Sequence, residues 1–200
     1  MRIYLLRHGE SAANVERVFA AKKIDPPLSD TGTAQITSQA RNLKPIKFEA
    51  AYASPLLRAR QTADIVRQAI GLDYRIDDSL REMDVGFLDG QDQNDPELWA
   101  MYENTVAQWR AGNTDFTFPE GESAILAAGR FKNFLNRIEN RHDGPVLVVA
   151  HCLLYMVALW YWHSNKKEEI ENYHMGRGHY SIINKKSGKL DLIEFNVGPV

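Results

Sequence analysis

Cysteine is almost missing from this 200-residue chain, where Cys152 stands alone. No disulfide can form within it, and its thiol content gives no sign of an oxidising compartment. An excess of charge of one sign is missing too. A formal net charge of -2 supplies no field to gather nucleic acid or an anionic membrane, so neither is expected as a partner. Any anion must therefore be caught by a local cluster. Long apolar runs are absent, none approaching the ~18 residues of a membrane helix, and Leu153 to Trp162 reads as a buried helix instead. No basic and apolar leader precedes the first strand, so the expected location is cytoplasmic. Internal repeats and low-complexity stretches are lacking as well, and the length suits one domain spanning 1–200 with a sizeable core.

What is present alternates between strand and helix patterns. Ile3 to Leu6 is a short apolar run, and Pro145 to Ala150 a β-branched one of the kind buried on both faces of a sheet. Ser29 to Thr31 offer N-cap oxygens to a helix over 32–43 that Pro45 ends. Ser54 and Pro55 predict a helix from 55 to 70 with Gly71 as its stop. Weak strands are expected at 51–53 and 74–76, a long helix from Gly121-Glu122-Ser123 to about Arg141, and another after Pro145–Ala150 to about His163. A final antiparallel pair, 180–185 and 190–195, would turn at Ser187-Gly188. This order implies an α/β fold: a mostly parallel central sheet with helices on both faces. Residues 91–119 stand apart, with Trp99, Tyr102, Trp109, Phe116 and Phe118 in a polar background and helical spacing near 96–111. They read either as a helix packing its aromatics onto the domain or as an inserted, partly helical lid that shapes a pocket.

The chemistry gathers at strand ends. Arg7-His8-Gly9-Glu10-Ser11 places an imidazole beside a guanidinium, on a glycine expected to make a tight turn. His151 likewise follows an apolar strand, and in a parallel sheet both histidines emerge at the one edge where ligands collect. Arg58 falls in the first turn of its helix, where the dipole already favours an anion. Arg7, Arg58 and the two imidazoles would form a compact cationic pocket of the kind that phosphoryl transfer needs.

These residues resemble the histidine phosphatase superfamily, which includes the cofactor-dependent phosphoglycerate mutases. The matching pieces, in order, are the Arg7–Ser11 run with Asn14, Leu28-Ser29-Asp30-Thr31-Gly32, and Ser54-Pro55-Leu56-Leu57-Arg58-Ala59-Arg60-Gln61-Thr62-Ala63. Leu80-Arg81-Glu82 with Gly86 and Gly90, then Gly121-Glu122-Ser123 and Val148-Val149-Ala150-His151 complete the set. The resemblance implies a phosphoglycerate mutase-like fold and a phosphohistidine on His8. Arg7, Asn14, Arg58 and His151 would hold the phosphoryl oxygens, and Glu82 would serve as acid and then base. Asp84, two residues on, is the competing carboxylate. Neither a metal nor a cofactor is implied.

Departures from the family pattern supply the remaining candidates. Many relatives carry glycine where this chain has Cys152, whose thiol either faces the pocket, with a pKa lowered by positive charge, or packs away as a small hydrophobe. Many carry Gln-Gly where Ala20-Ala21-Lys22-Lys23 stands, so Lys22 or Lys23 either replaces the glutamine or is a plain solvated charge. Ser123 and the glycine-flanked Arg177 and His179 are further candidates for substrate contact, with a surface turn the other reading of 175–179. Two familiar nucleophile motifs are excluded, because Ala158 replaces the arginine of a tyrosine-phosphatase loop and Ile125 the second glycine of a serine-hydrolase elbow. The sequence thus predicts a metal-independent phosphatase for a small phosphorylated metabolite. A phosphoglycerate mutase and a phospho-ligand-binding regulator are the alternatives, and the Trp160-Tyr161-Trp162 cluster and the aromatic insert are candidate faces for a homodimer.

Overall fold

In the computed structural model, described over residues 1–163, 169–186 and 189–199, six strands form one mixed sheet. They are β1 (Arg2–Arg7), β2 (Ala50–Ala53), β3 (Tyr74–Ile76), β4 (Val146–Ala150), β5 (Tyr180–Lys186) and β6 (Lys189–Val197). Their order is β3-β2-β4-β1-β5-β6, with the first four mutually parallel and the last two antiparallel. The helices are α1 (Ala12–Glu16), α2 (Asp30–Leu43), α3 (Leu57–Ile70), α4 (Pro96–Arg110), α5 (Ala124–Glu139) and α6 (Cys152–Trp162). The expected turn at Ser187-Gly188 lies outside the described residues. Among the described residues no helix is long and apolar enough to cross a membrane.

Two cores explain the unbroken apolar runs of β1 and β4. Side chains alternate across a strand, so Ile3, Leu5, Val146 and Val148 bury themselves against α5 and α6, beside Phe131, Phe134, Leu154 and Val157. Tyr4, Leu6, Leu147 and Val149 face the other way, onto Ile36 and Ala40 of α2 and Ala63 and Val66 of α3. Every residue of β4 is buried, as a strand covered by helices on both faces must be. The register pairs Arg7 with Ala150, so the residues that follow, His8 and His151, leave the sheet side by side.

Three local expectations need correction. The 57–70 helix does not start at Ser54: Leu56 occupies its N-cap without a side-chain bond, and Asp25 caps it from a distant loop by accepting the Leu57 N–H at 2.7 Å. Ser54 is spent elsewhere, as shown below. Gly9 makes no left-handed turn. What it allows is close approach, because a Cβ there would lie 2.5 Å from the Gly32 carbonyl oxygen, and one on Gly32 would lie 2.0 Å from that of Glu10. Finally, α1 was not anticipated, since five residues ended by a left-handed Arg17 are too few to show a period.

The 91–119 segment begins with α4, whose N-cap Asp95 accepts from Glu97 and Leu98 N–H at 2.8 and 3.2 Å, with Pro96 in the first turn. Its return path is pinned by the buried Trp109, whose indole N–H donates to the Phe116 carbonyl at 2.8 Å. Trp160 is buried, and the Trp162 indole donates to the Ala128 carbonyl at 3.0 Å with Lys132 3.6 Å above its ring. That cluster is thus anchored to α5 of its own fold.

Candidate active site

At the carboxyl edge of β1 the ladder runs one residue past the strand, with the His8 N–H donating to the Ala150 carbonyl at 3.1 Å. The His8 ring is buried, and its Nδ1 lies 2.6 Å from the Gly9 carbonyl oxygen. A carbonyl only accepts, so Nδ1 carries the proton and Nε2 keeps its lone pair. Arg58 Nε–H donates toward that lone pair at 3.3 Å. Burial, then the charges of Arg58 and Arg7, hold the His8 pKa well below its ordinary value, so the ring is neutral at pH 7. A neutral imidazole with a fixed Nε2 lone pair is a competent nucleophile.

His151 stands beside it, the two ring centroids 5.1 Å apart. Its Nε2 is 2.7 Å from Ser54 Oγ, which already accepts the Leu56 N–H at 3.3 Å. The Ser54 hydroxyl can both donate and accept, so this contact ties the two side chains together in either tautomer of the His151 ring. Burial, then Arg58, depress the pKa of this ring as well.

Among the described residues, three buried nitrogens in this cluster have no hydrogen-bond partner: Arg7 Nε, Arg58 Nη1 and His151 Nδ1. Other nitrogens of the two guanidinium groups are engaged, Arg7 Nη1 by the Met175 carbonyl and Arg58 Nη2 by the Ala20 carbonyl at 3.0 Å, while Asp25 Oδ1 lies 3.8 Å from Arg58 Nη1. Unsatisfied buried donors cost ~1–3 kcal/mol each, and more when charged, unless a ligand completes them. Arg7, His8 and Arg58 line one cavity of about 230 Å³. Asn14 lines it too, with its Oδ1 accepting the Ser11 N–H at 3.2 Å, which leaves the amide nitrogen as the donor for a ligand.

Glu82 reaches the same cavity, whereas Asp84 does not line it. The Glu82 carboxylate accepts the Met83 and Leu154 N–H at 2.8 Å each and the Leu153 N–H at 3.2 Å, so it sits on the N-terminus of α6. Asp84 accepts the Gly86 N–H at 2.9 Å and pairs with Lys22 on the surface. An arginine holds the Glu82 loop. Arg130 Nη1 donates to the Ser79 and Arg81 carbonyls at 2.7 and 2.8 Å, Nη2 donates to the Glu82 carbonyl at 3.2 Å, and the fork grips Glu122 at 2.8 and 2.9 Å.

The other candidates divide. Arg177 lines the cavity, 3.7 Å from the Glu10 carboxylate. Cys152 lines it as well, with its thiol 3.7 Å from the Met175 carbonyl, but burial pushes the pKa up and outweighs the neighbouring arginine, so of the two sequence readings the location in the pocket holds and the lowered pKa does not. Lys22 and Lys23 do not replace the missing glutamine, since their Nζ atoms go to Asp84 and to the Gly86 carbonyl. Ser123 is not a ligand contact but the N-cap of α5, accepting the Leu126 N–H at 3.4 Å. His179 is not one either: its Nδ1 meets the Asn196 carbonyl at 3.1 Å and its ring fills the space beside Gly176 and Gly198.

Sequence reasoning missed several contributors. Gln93, Trp99, Tyr102, Met156 and His174 complete the wall, and of these only the aromatics of 91–119 carried a visible signal. Asp89 is another: it is buried and accepts the N–H groups of Ala21, Lys22 and Lys23 at 2.9, 2.7 and 2.5 Å, which fixes the loop whose Ala20 carbonyl holds Arg58.

Known proteins resemble this chain in sequence and fold. An Escherichia coli O1:K1 protein named "Probable phosphoglycerate mutase GpmB" is 37% identical over 152 residues, covering 76% of this chain and 69% of that one. A mycobacterial glucosyl-3-phosphoglycerate phosphatase, solved with VO3, superposes with a TM-score of 0.85 at 25% identity over 98% of this chain and 99% of that one. The alpha-ribazole phosphatase of Shigella flexneri shares the fold, with a TM-score of 0.78 at 24% identity over 99% and 98% of the two chains. The model of the histidine phosphatase superfamily (branch 1) matches residues 3–198, nearly the whole sequence, and the chain belongs to that superfamily.

Proposed function

We propose that this protein is a phosphatase that hydrolyses a small phosphomonoester through a phosphohistidine on His8, without a metal. The observation that carries the reading is the set of buried nitrogens without a hydrogen-bond partner among the described residues, on Arg7, Arg58 and His151, grouped around one neutral, lone-pair-bearing imidazole. A phosphoryl group supplies the missing acceptors. In the proposed cycle His8 Nε2 forms a bond to phosphorus as the ester P–O bond breaks, and Glu82 delivers a proton to the leaving oxygen. Arg7, Arg58, His151 and Asn14 take the charge that spreads over the phosphoryl oxygens. Water then attacks phosphorus, Glu82 takes its proton, and the N–P bond breaks to release phosphate. The mycobacterial phosphatase, solved with an oxyanion, supports this use of the fold.

A mutase, as the name of the E. coli relative suggests, must grip a second anionic group while the substrate reorients. Around this cavity Arg177 is offset by Glu10, and Arg110 by Glu169 and Glu171. His174 is kept neutral at pH 7, mainly by burial. That balance favours hydrolysis over transfer. It also weighs against a binding-only regulator, because the nucleophile, its cationic cradle and an acid are all retained. The test is rapid quench into alkaline SDS with a 32P-labelled ester in EDTA, followed by a check that the label is lost in acid. Acid-labile label on the wild-type chain, absent from a folded His8→Ala variant that has lost turnover, is expected. Equal turnover by His8→Ala would refute the reading.

A further inference from the structure

Beyond the phosphoryl cavity lies a second of about 550 Å³, which shares Trp99, Tyr102, Met156 and His174 with the first. Its volume falls in the range of small-molecule sites, and its continuity with the first puts it where the leaving group of a bound ester must extend. Its apolar side is formed by Trp99, Tyr102, Val106 and Met156. Trp99 and Tyr102 stack at 5.2 Å between centroids and are backed by Phe19 and Phe118, whose rings lie 5.7 to 6.1 Å from theirs. Trp99 keeps 39% of its surface exposed, an unusual cost for a large ring unless something covers it.

The charges at its rim do not suit an acid. Arg110 forms ion pairs with Glu171 and, at 3.6 Å, with Glu169, while Glu103 adds a further carboxylate to the lining. A second phosphate or a carboxylate entering here would find no uncompensated cation among the described residues and several acids.

Resting on the phosphatase reading, we infer that the outer cavity binds the leaving group and selects phosphomonoesters of large, uncharged apolar alcohols, aromatic or long-chain alkyl, over phosphorylated glycerates and other acids. Trp99 and Tyr102 offer flat faces to such a group, and Met156 adapts to its shape.

Butyl, hexyl and octyl phosphate test this, because their leaving groups are chemically alike and differ only in apolar length. Burial of each CH2 is expected to raise kcat/KM about 4-fold, to a gain on the order of 10²-fold from butyl to octyl. 3-Phosphoglycerate should fall at or below the butyl ester. Ala107→Glu, at an exposed position of α4 that lines only the outer cavity, should remove most of the octyl gain and leave butyl phosphate unchanged. Hydrolysis of all three esters at equal kcat/KM, or a preference for 3-phosphoglycerate, overturns the inference alone. No hydrolysis of any ester, with no labelled phosphoenzyme, overturns the phosphatase reading and this inference with it.

Discussion

Replacing Arg130 by Met tests whether the Glu82 loop is held from behind. The guanidinium makes five hydrogen bonds, three to loop carbonyls and two to Glu122, at 2.7 to 3.2 Å. Its side chain is 22% exposed and that of Glu122 only 16%, so the pair is mostly desolvated. Breaking a fully buried pair by removing one partner costs ~3–5 kcal/mol, and the residual exposure argues for the low end, about 3 kcal/mol. In a chain of this size each kcal/mol moves Tm by ~2–4 °C, so thermal unfolding of Arg130→Met should fall by about 6–12 °C. Activity should fall further than stability explains. A loop that drifts by ~1 Å misplaces the proton donor, a cost on the order of 10²-fold in kcat for esters with poor leaving groups and much less for aryl esters. The double variant Arg130→Met/Glu122→Met should be more stable than the single one, because no lone carboxylate is left behind. An Arg130→Met protein that melts within about 2 °C of wild type, or loses both ester classes equally, would refute the reasoning.

Glu82→Gln should slow alkyl esters by ~10²–10⁴-fold while sparing activated aryl esters, with Asp84→Asn near wild type; the opposite ranking in steady-state assays would show that the wrong carboxylate was chosen. The pH response follows from two histidines whose folded pKa lies below the ordinary 6.5. Above 6.5 each ring is neutral in both states and contributes nothing, but below it the unfolded chain binds protons that the folded chain refuses. Thermal melts should therefore weaken as pH falls below 6.5, and the acid limb of kcat/KM should lie below 6.5; an acid limb centred above it contradicts the assignment. Cys152, its thiol pushed up by burial, should alkylate more slowly at pH 7 than a free thiol, and Cys152→Gly should stay active. Faster alkylation than a model thiol, followed by mass spectrometry, would count against that account.

The sequence disclosed most where a single physical constraint acted on neighbouring residues. The apolar runs that became β1 and β4 are visible because both faces are covered, and a histidine directly after each run then had one edge to occupy. Ser54 was misread because an N-cap is a local pattern, whereas its actual partner, His151, is 97 residues away. Lys22 and Lys23 were left between two readings for the same reason: what decides their direction is Asp84 and the Gly86 carbonyl, across a loop crossing that no spacing reveals. Asp89 acts through backbone N–H groups and Arg130, besides Glu122, through three backbone carbonyls, all of distant segments, and such contacts leave no trace in residue order. The charge sum at Cys152 suggested activation, but burial outweighed it.

The backbones of His8 and His151 owe their adjacency to the pairing of two parallel strands, which a side-chain replacement leaves in place. The outer cavity is lined largely by α4, whose residues take no part in that strand pairing. On the proposed reading, the nucleophile and the leaving-group wall rest on different elements and meet at Trp99 and Tyr102. A library confined to the exposed positions of 96–110 can re-aim this protein at new esters while its nucleophile stays where the sheet has put it.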